Sequence, residues 1–226
     1  MYSCEKNAEF ICDTFKLDVF PPTLDAKIGE REGLMIGYVE NAKSATKFGP
    51  EAIPLTDALK RQLIQLTLLD IILNNTDRRA GNLIYKEGRI FAIDHEYAEQ
   101  DKTPQLCGWE HIQGEKIPDD IRQNFLDASN NPDVMQTLRA DMLRVHHYDG
   151  ERAETDLDGY FERIAKLKQV IEEGVMPEQN TIRYCAIDYR ALVLRTATDA
   201  RLERIQSDER LRAETYGPKY LENEVA

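Results

Sequence analysis

Four histidines and four cysteines in 226 residues leave little with which to build a soft-metal centre or a disulfide framework. Cys4, Cys12, Cys107 and Cys185 lie far apart with no C-x-x-C pair, so they read as free thiols. The His146–His147 pair has no Cys or acidic cluster beside it to complete a cation site, and reads as surface or core. Long apolar runs are missing too. The longest, Leu63 to Leu73, is broken by Gln65, Thr67 and Asp70 and falls short of the roughly 18–20 residues of a membrane span. The opening MYSCEKNAEF lacks a basic segment followed by an apolar one, so no signal peptide is expected and the cytosol is the expected compartment. Basic charge is scarce: 29 Lys and Arg against 41 Asp and Glu give a formal charge of −12. That excludes a general nucleic-acid binder, whose phosphate contacts need clustered cations. It does not exclude a nucleotide, because a local basic or metal-filled pocket overrides the global sign.

What is present is globular. The chain is 42% hydrophobic and 31% charged, without repeats, and long enough for one sizeable core or two small ones. In residues 4–16, Ala8, Ile11, Cys12 and Phe15 recur at helical spacing, and FPPT at 20–23 ends that helix. TLDAKI and GLMIGYVE flank GERE, which reads as two strands about a polar hairpin. Thr56 or Asp57 can cap a helix running to Leu73, apolar nearly all round from Leu63 and therefore expected at the centre. LIY and IFAI about Gly88 predict a second hairpin. Beyond residue 100 the pattern turns mostly helical, in DIRQNFLDA, DVMQTLRADMLRV and LDGYFERIAKLKQVIEEG, the last closed by Gly174. A charged helix over 181–214 follows and carries no chemistry of its own.

Between the buried helix and the second hairpin stands NNTDRRAGNLI, residues 74–84. A loop that only turns needs Gly, Asn and Asp; two adjacent arginines beside a carboxylate are costly to bury and superfluous to a turn. Asp77 and Asn82 enclose four residues, and the hairpin after them folds IDHEYA back so that Asp94 can converge with them. These side-chain types suit phosphoryl transfer. Asn and Asp supply hard oxygen ligands for Mg²⁺, an Asp beside a hydroxyl accepts its proton, and a guanidinium stabilises the charge of a transferred phosphoryl group. D-x-x-x-x-N alone is common; its place between a buried helix and a strand–turn–strand ending in Ile-Asp strengthens the signal.

The stretch NNTDRRAGNLIYKEGRIFAIDHEYA resembles the catalytic core of the atypical kinases grouped as phosphatidylinositol 3/4-kinase-like and HipA-like. Those write N-x-D-R-H-x-x-N, a short hairpin, and then Ile-Asp. The resemblance implies Asp77 as the catalytic aspartate with Arg78 and Arg79 alongside, Asn82 and Asp94 as metal ligands, and Asn74 or Asn75 shaping the loop. Arg79 stands where the family has His, keeping a donor without a titratable ring. Upstream, CEKNAEFICDTFKLDVFPPT resembles the family's N-lobe helix and Glu5 its ion-pairing glutamate. GLMIGYVENA resembles the strand entering the hinge, with Tyr38, Val39 and Glu40 near adenine.

The expected fold is α+β and protein-kinase-like: a truncated N-lobe over residues 1–42 and a mainly helical C-lobe over 43–226, with the catalytic loop at 74–98. The expected function is ATP- and Mg²⁺-dependent phosphoryl transfer to a protein hydroxyl, since no basic or apolar membrane face is visible. The alternatives are a pseudokinase or split-kinase module acting through a partner, and a nucleotidyl transferase on the same fold. The family's glycine-rich loop and lysine strand would precede Met1, and Lys27 and Lys43 come too late to replace that lysine. A partner chain, a second copy or the helix from about residue 181 is therefore expected to complete the N-lobe and bring Glu5 a cation.

Overall fold

The computed structural model describes residues 2–28, 31–45, 53–95, 106–145 and 150–177, all within one compact unit. The helix expected over 181–214, the His146–His147 pair and Cys185 lie outside the described residues. The element order is α1 (Tyr2–Phe15), β1 (Thr23–Ile28), β2 (Arg31–Ile36), β3 (Lys43–Ser44), α2 (Asp57–Leu73), β4 (Leu83–Lys86), β5 (Arg89–Ala92), α3 (Asp119–Asn130), α4 (Pro132–Val145) and α5 (Gly150–Glu173). This mixture of helices and small sheets suits a kinase-like domain.

Helix α2 is central, as its apolar pattern requires: every residue from Gln62 to Leu73 is buried. Thr56 is its cap, the hydroxyl accepting the Leu59 N–H at 3.2 Å. Helix α1 lays Ala8, Ile11 and Phe15 into the same core, where Phe15 stacks on Phe125 of α3 at 4.5 Å between ring centroids. It packs against α4 as well as α2 and α3, so its placement is fixed from three sides. Helix α5 covers α2 with Leu157, Ile164 and Leu167, and Arg163 donates from Nε to the Ile72 carbonyl at 2.8 Å, satisfying one of the open carbonyls at the end of α2. Gly174 closes α5 with φ 76°, the left-handed stop expected there.

Strands β1 and β2 form an antiparallel pair in which Leu24 faces Met35, both more than half exposed. Strand β2 begins two residues earlier than its apolar pattern and ends at Ile36, leaving residues 37–40 as a connecting segment. Gly37 is required there. Its N–H donates to Pro22 O at 2.6 Å, and a Cβ at that position would lie 2.8 Å from the same oxygen. The second sheet runs β3-β4-β5, with β4 and β5 paired as the hairpin expected around Gly88. The two-residue strand β3 had no periodicity from which to be read. The Ala92 N–H donates to Val19 O at 2.7 Å, tying the segment after α1 to the end of β5.

Candidate active site

The last turn of α2 carries the anchor. Asp70, the one carboxylate in its apolar run, is fully buried and accepts both Arg78 Nε–H···O contacts at 3.0 Å, with Asn75 Nδ2 at 3.4 Å. Helix α2 stops at Asn74, whose left-handed φ of 52° turns the chain back, and the Asn75 N–H donates to Asp70 O at 2.9 Å. Arg78 then lies wholly inside. Its Nη1 donates to Asn82 O at 2.9 Å and to Ile93 O at 2.8 Å, so one guanidinium joins α2, the loop and the strand leading to Asp94. Burial pushes the Asp70 carboxyl up to about 6, with Arg78 and Asn75 pulling the other way. The expectation of two arginines beside the reacting group therefore splits: Arg78 is turned inward as a brace, and Arg79, its side chain 66% exposed, is the one at the surface.

Asp77 sits at the mouth of the loop, partly exposed. Its N–H donates to Asn75 Oδ1 at 3.0 Å, which is how Asn75 shapes the turn. Asn82 Nδ2 donates to Asp77 O at 2.9 Å and to Asp77 Oδ2 at 3.2 Å, and Arg79 Nε stands 3.4 Å from the same Oδ2. These two donations use the nitrogen end of the Asn82 amide and leave Oδ1 as its acceptor end. The Ile93 N–H donates to Asn82 O at 3.0 Å, continuing the β4–β5 ladder one step past Leu83↔Ala92. That step sets Ile93 opposite Asn82 and leaves Asp94 one residue further on, at the open end of the hairpin. Among the described residues no cluster of three His, Cys, Asp or Glu side chains forms. Asp77 and Asn82 do meet, and a carboxylate and an amide oxygen are donor types that suit a hard divalent cation such as Mg²⁺.

Behind Asp94 lies a pair that the sequence did not announce. The His95 N–H donates to Glu5 Oε1 at 2.8 Å and His95 Nδ1 meets Glu5 Oε2 at 2.9 Å, with both side chains buried. Burial and the nearby Arg78 charge push the His95 pKa down, so the ring is neutral and gives Nδ1–H to the carboxylate. For Glu5, burial acts upward but the hydrogen bonds from the His95 ring and main chain outweigh it, and its pKa falls. Glu5 thus finds its partner inside its own domain. Lys6, next to it, pairs instead with Glu9 and Asp25. Lys27 and Lys43 are exposed on their strands.

The expected nucleotide contacts Tyr38, Val39 and Glu40 fall together on the wall of a cavity of about 800 Å³. Phe91 of β5 and Glu9 of α1 share that wall, whereas Asp77, Asn82 and Asp94 do not line it. The cavity and the loop with Asp77 and Asn82 are joined through the hairpin. Phe91 lies in β5, three residues before Asp94. Cys4, Cys12 and Cys107 are free thiols, as expected; burial raises the Cys12 pKa strongly and that of Cys107 to about 11, so both stay protonated and unreactive. No helix among the described residues is long and apolar enough to cross a membrane. Glu5 and His95 were missed as a pair because 90 positions separate them and neither stands in a periodic motif. Asp70 did leave a signal, as a lone carboxylate in an apolar helix that had to find a cation.

A family model described as phosphatidylinositol 3- and 4-kinase matches residues 22–148, more than half of the chain. The matched stretch takes in the 37–40 segment, α2, the loop with Asp77 and Asn82, the β4–β5 hairpin and Asp94. No curated protein matches the sequence. Such a domain points to a kinase, with phosphoryl transfer from ATP as its chemistry. The chain belongs to the phosphatidylinositol 3- and 4-kinase family.

Proposed function

We propose that this protein transfers the γ-phosphoryl group of Mg·ATP to a protein hydroxyl. The carrying observation is the Asn82 amide, whose nitrogen donates to Asp77 and so turns its oxygen end away from that residue. That arrangement supports a reading in which a proton acceptor and a cation ligand stand one side chain apart. Asp77 Oδ accepts the substrate hydroxyl's proton as its oxygen bonds to the γ-phosphorus and the β–γ bridging bond breaks, giving the phosphoester and ADP. Asn82 and Asp94 would hold Mg²⁺, which would supply positive charge to offset that of the phosphate groups. Arg79 swings from Asp77 toward the transferred group, the exposed guanidinium being the one free to do so. Adenine and ribose lie in the cavity walled by Tyr38, Val39, Glu40 and Phe91. A formal charge of −12 favours a protein acceptor in the cytosol over an anionic lipid surface.

The test is Asp77→Asn in the full chain. Turnover should fall about 10²- to 10⁴-fold with nucleotide affinity kept. Undiminished turnover with an unchanged melting temperature would remove Asp77 from the mechanism. Mass spectrometry of the modified product separates phosphate from AMP, and so separates a kinase from a nucleotidyl transferase.

A second reading draws on the exposed Leu24 and Met35 and on Tyr38, 89% exposed at the cavity mouth. Apolar groups set so openly around a cleft suit a shortened, HipA-like N-lobe completed by a partner chain or a second copy. In that case the chain acts as one half of a split kinase. Light scattering with ATP titration decides: a monomer that binds and turns over ATP normally needs no such cover.

A further inference from the structure

Both neighbours of Asp94 are pinned. Ile93 gives its N–H to Asn82 O at 3.0 Å and takes Arg78 Nη1 on its carbonyl at 2.8 Å. His95 gives its N–H and its ring nitrogen to the two oxygens of Glu5, at 2.8 and 2.9 Å. Asp94 between them has φ 61°, a left-handed backbone that an L-residue keeps only when its surroundings hold it there. Glu5 sits in α1, which Ala8, Ile11 and Phe15 anchor in the core. The backbone on either side of Asp94 is therefore referred to two rigid helices, α2 through Asp70 and Arg78, and α1 through Glu5.

We propose that Glu5 is a positioning residue for divalent-cation binding: by holding the main chain and ring of His95 it keeps the Asp94 backbone left-handed, and so fixes where its carboxylate can stand. This rests on the reading of Asn82 and Asp94 as cation ligands. A purely structural role would need only a well-packed side chain in α1. The two-pronged bond does more, because it fixes the orientation of the peptide between Asp94 and His95. Without it that peptide can rotate, the backbone of Asp94 relaxes, and the carboxylate leaves the site while the fold persists.

The probe is Mn²⁺ alone, its binding to the full-length chain followed by water-proton relaxation. Asp94→Ala and Asn82→Ala should each abolish binding. Glu5→Ala should weaken it about tenfold or more, the range of outer-sphere substitutions, and speed hydrogen exchange at the His95 amide. Glu5→Gln should stay near wild type, since its amide oxygen still accepts the His95 N–H and its nitrogen can donate to Nδ1 in the other tautomer. If Glu5→Ala loses its fold by circular dichroism, His95→Phe takes its place. It keeps the main-chain bond and removes the ring, and a weakening of several-fold is expected. Wild-type Mn²⁺ affinity in Glu5→Ala, or in a His95→Phe chain used instead, would overturn the clamp while leaving the ligands intact. A wild type that binds no Mn²⁺, or an Asp94→Ala chain that binds it normally, would instead overturn the ligand assignment, and the clamp with it.

Discussion

Arg78→Met removes a guanidinium from a fully buried site and keeps most of the side chain's length. Asp70 then loses its ion-pair partner, and the carbonyl of Ile93 loses the donor that reached it at 2.8 Å. Breaking a buried pair from one side costs about 3–5 kcal/mol, and the abandoned carbonyl about 1 more. At roughly 2–4 °C per kcal/mol for a chain of this size, melting should drop by about 10–20 °C. The pH dependence carries the sharper signature. Asp70 in the intact protein titrates at about 6 against an ordinary 3.8. Between those values the folded chain keeps a proton that the unfolded chain releases. The stability from this group is thus complete below about pH 4 and is lost as pH rises through about 6, at about 1.4 kcal/mol for each pH unit between the two values. From pH 5 to pH 8 the wild type loses about 1.4 kcal/mol through Asp70, whereas in Arg78→Met the carboxyl titrates higher still and the loss grows to as much as about 4 kcal/mol. The variant should therefore be hurt far more at pH 8 than at pH 5. In the double variant Asp70→Leu/Arg78→Met an apolar pair replaces the ions, and most of the stability should return. Denaturant melts at both pH values measure all of this. A single variant within about 3 °C of wild type at pH 8, less than about 1–2 kcal/mol, would refute the brace.

Two other substitutions read different parts of the molecule. Arg79→Ala, at a side chain 66% exposed, should leave stability within about 1 kcal/mol of wild type; if the guanidinium meets the phosphoryl group, turnover falls by about 10²-fold or more with nucleotide affinity kept, as steady-state kinetics would show. Gly37→Ala places a methyl group 2.8 Å from Pro22 O, so the segment must shift, at a cost of about 1–3 kcal/mol in a thermal melt. Because Tyr38 to Glu40 follow directly, nucleotide affinity should weaken with it.

The sequence was most readable where periodicity and chemistry agreed. Helix α2, its cap, the β4–β5 hairpin and the stop at Gly174 each follow from a local rule, and the structure has them where the residues put them. The loop between α2 and β4 could be read for its residue types but not for their directions. Arg78 and Arg79 are neighbours with equal composition. Which of them turns inward depends on Asp70, eight positions away, and on two carbonyls that only the folded hairpin brings near. Glu5 shows the same limit at longer range: its helix was legible, its partner was not, because the bond to His95 joins the start of α1 to the end of a hairpin through tertiary packing alone.

The expense of this design explains its form. A carboxylate and a guanidinium inside an apolar helix packing lower stability relative to hydrophobic residues of the same volume, so stability alone would not call for them. What leucine in their place could not do is reach three backbone segments at once. Arg78 has donors enough to hold Asp70, Asn82 and Ile93 together, and planar geometry that leaves little freedom in how they are held. The segments so fixed are the end of α2 and the two residues that precede the proposed chemistry, Asn82 itself and the neighbour of Asp94. An apolar swap should therefore return a folded protein whose Asn82–Asp94 spacing is less well defined. Its Mn²⁺ affinity should fall although its melting temperature recovers. If Asp70→Leu/Arg78→Met binds Mn²⁺ as tightly as wild type, the buried ions serve no positioning purpose, and their presence would have to be explained by the packing of α2 alone.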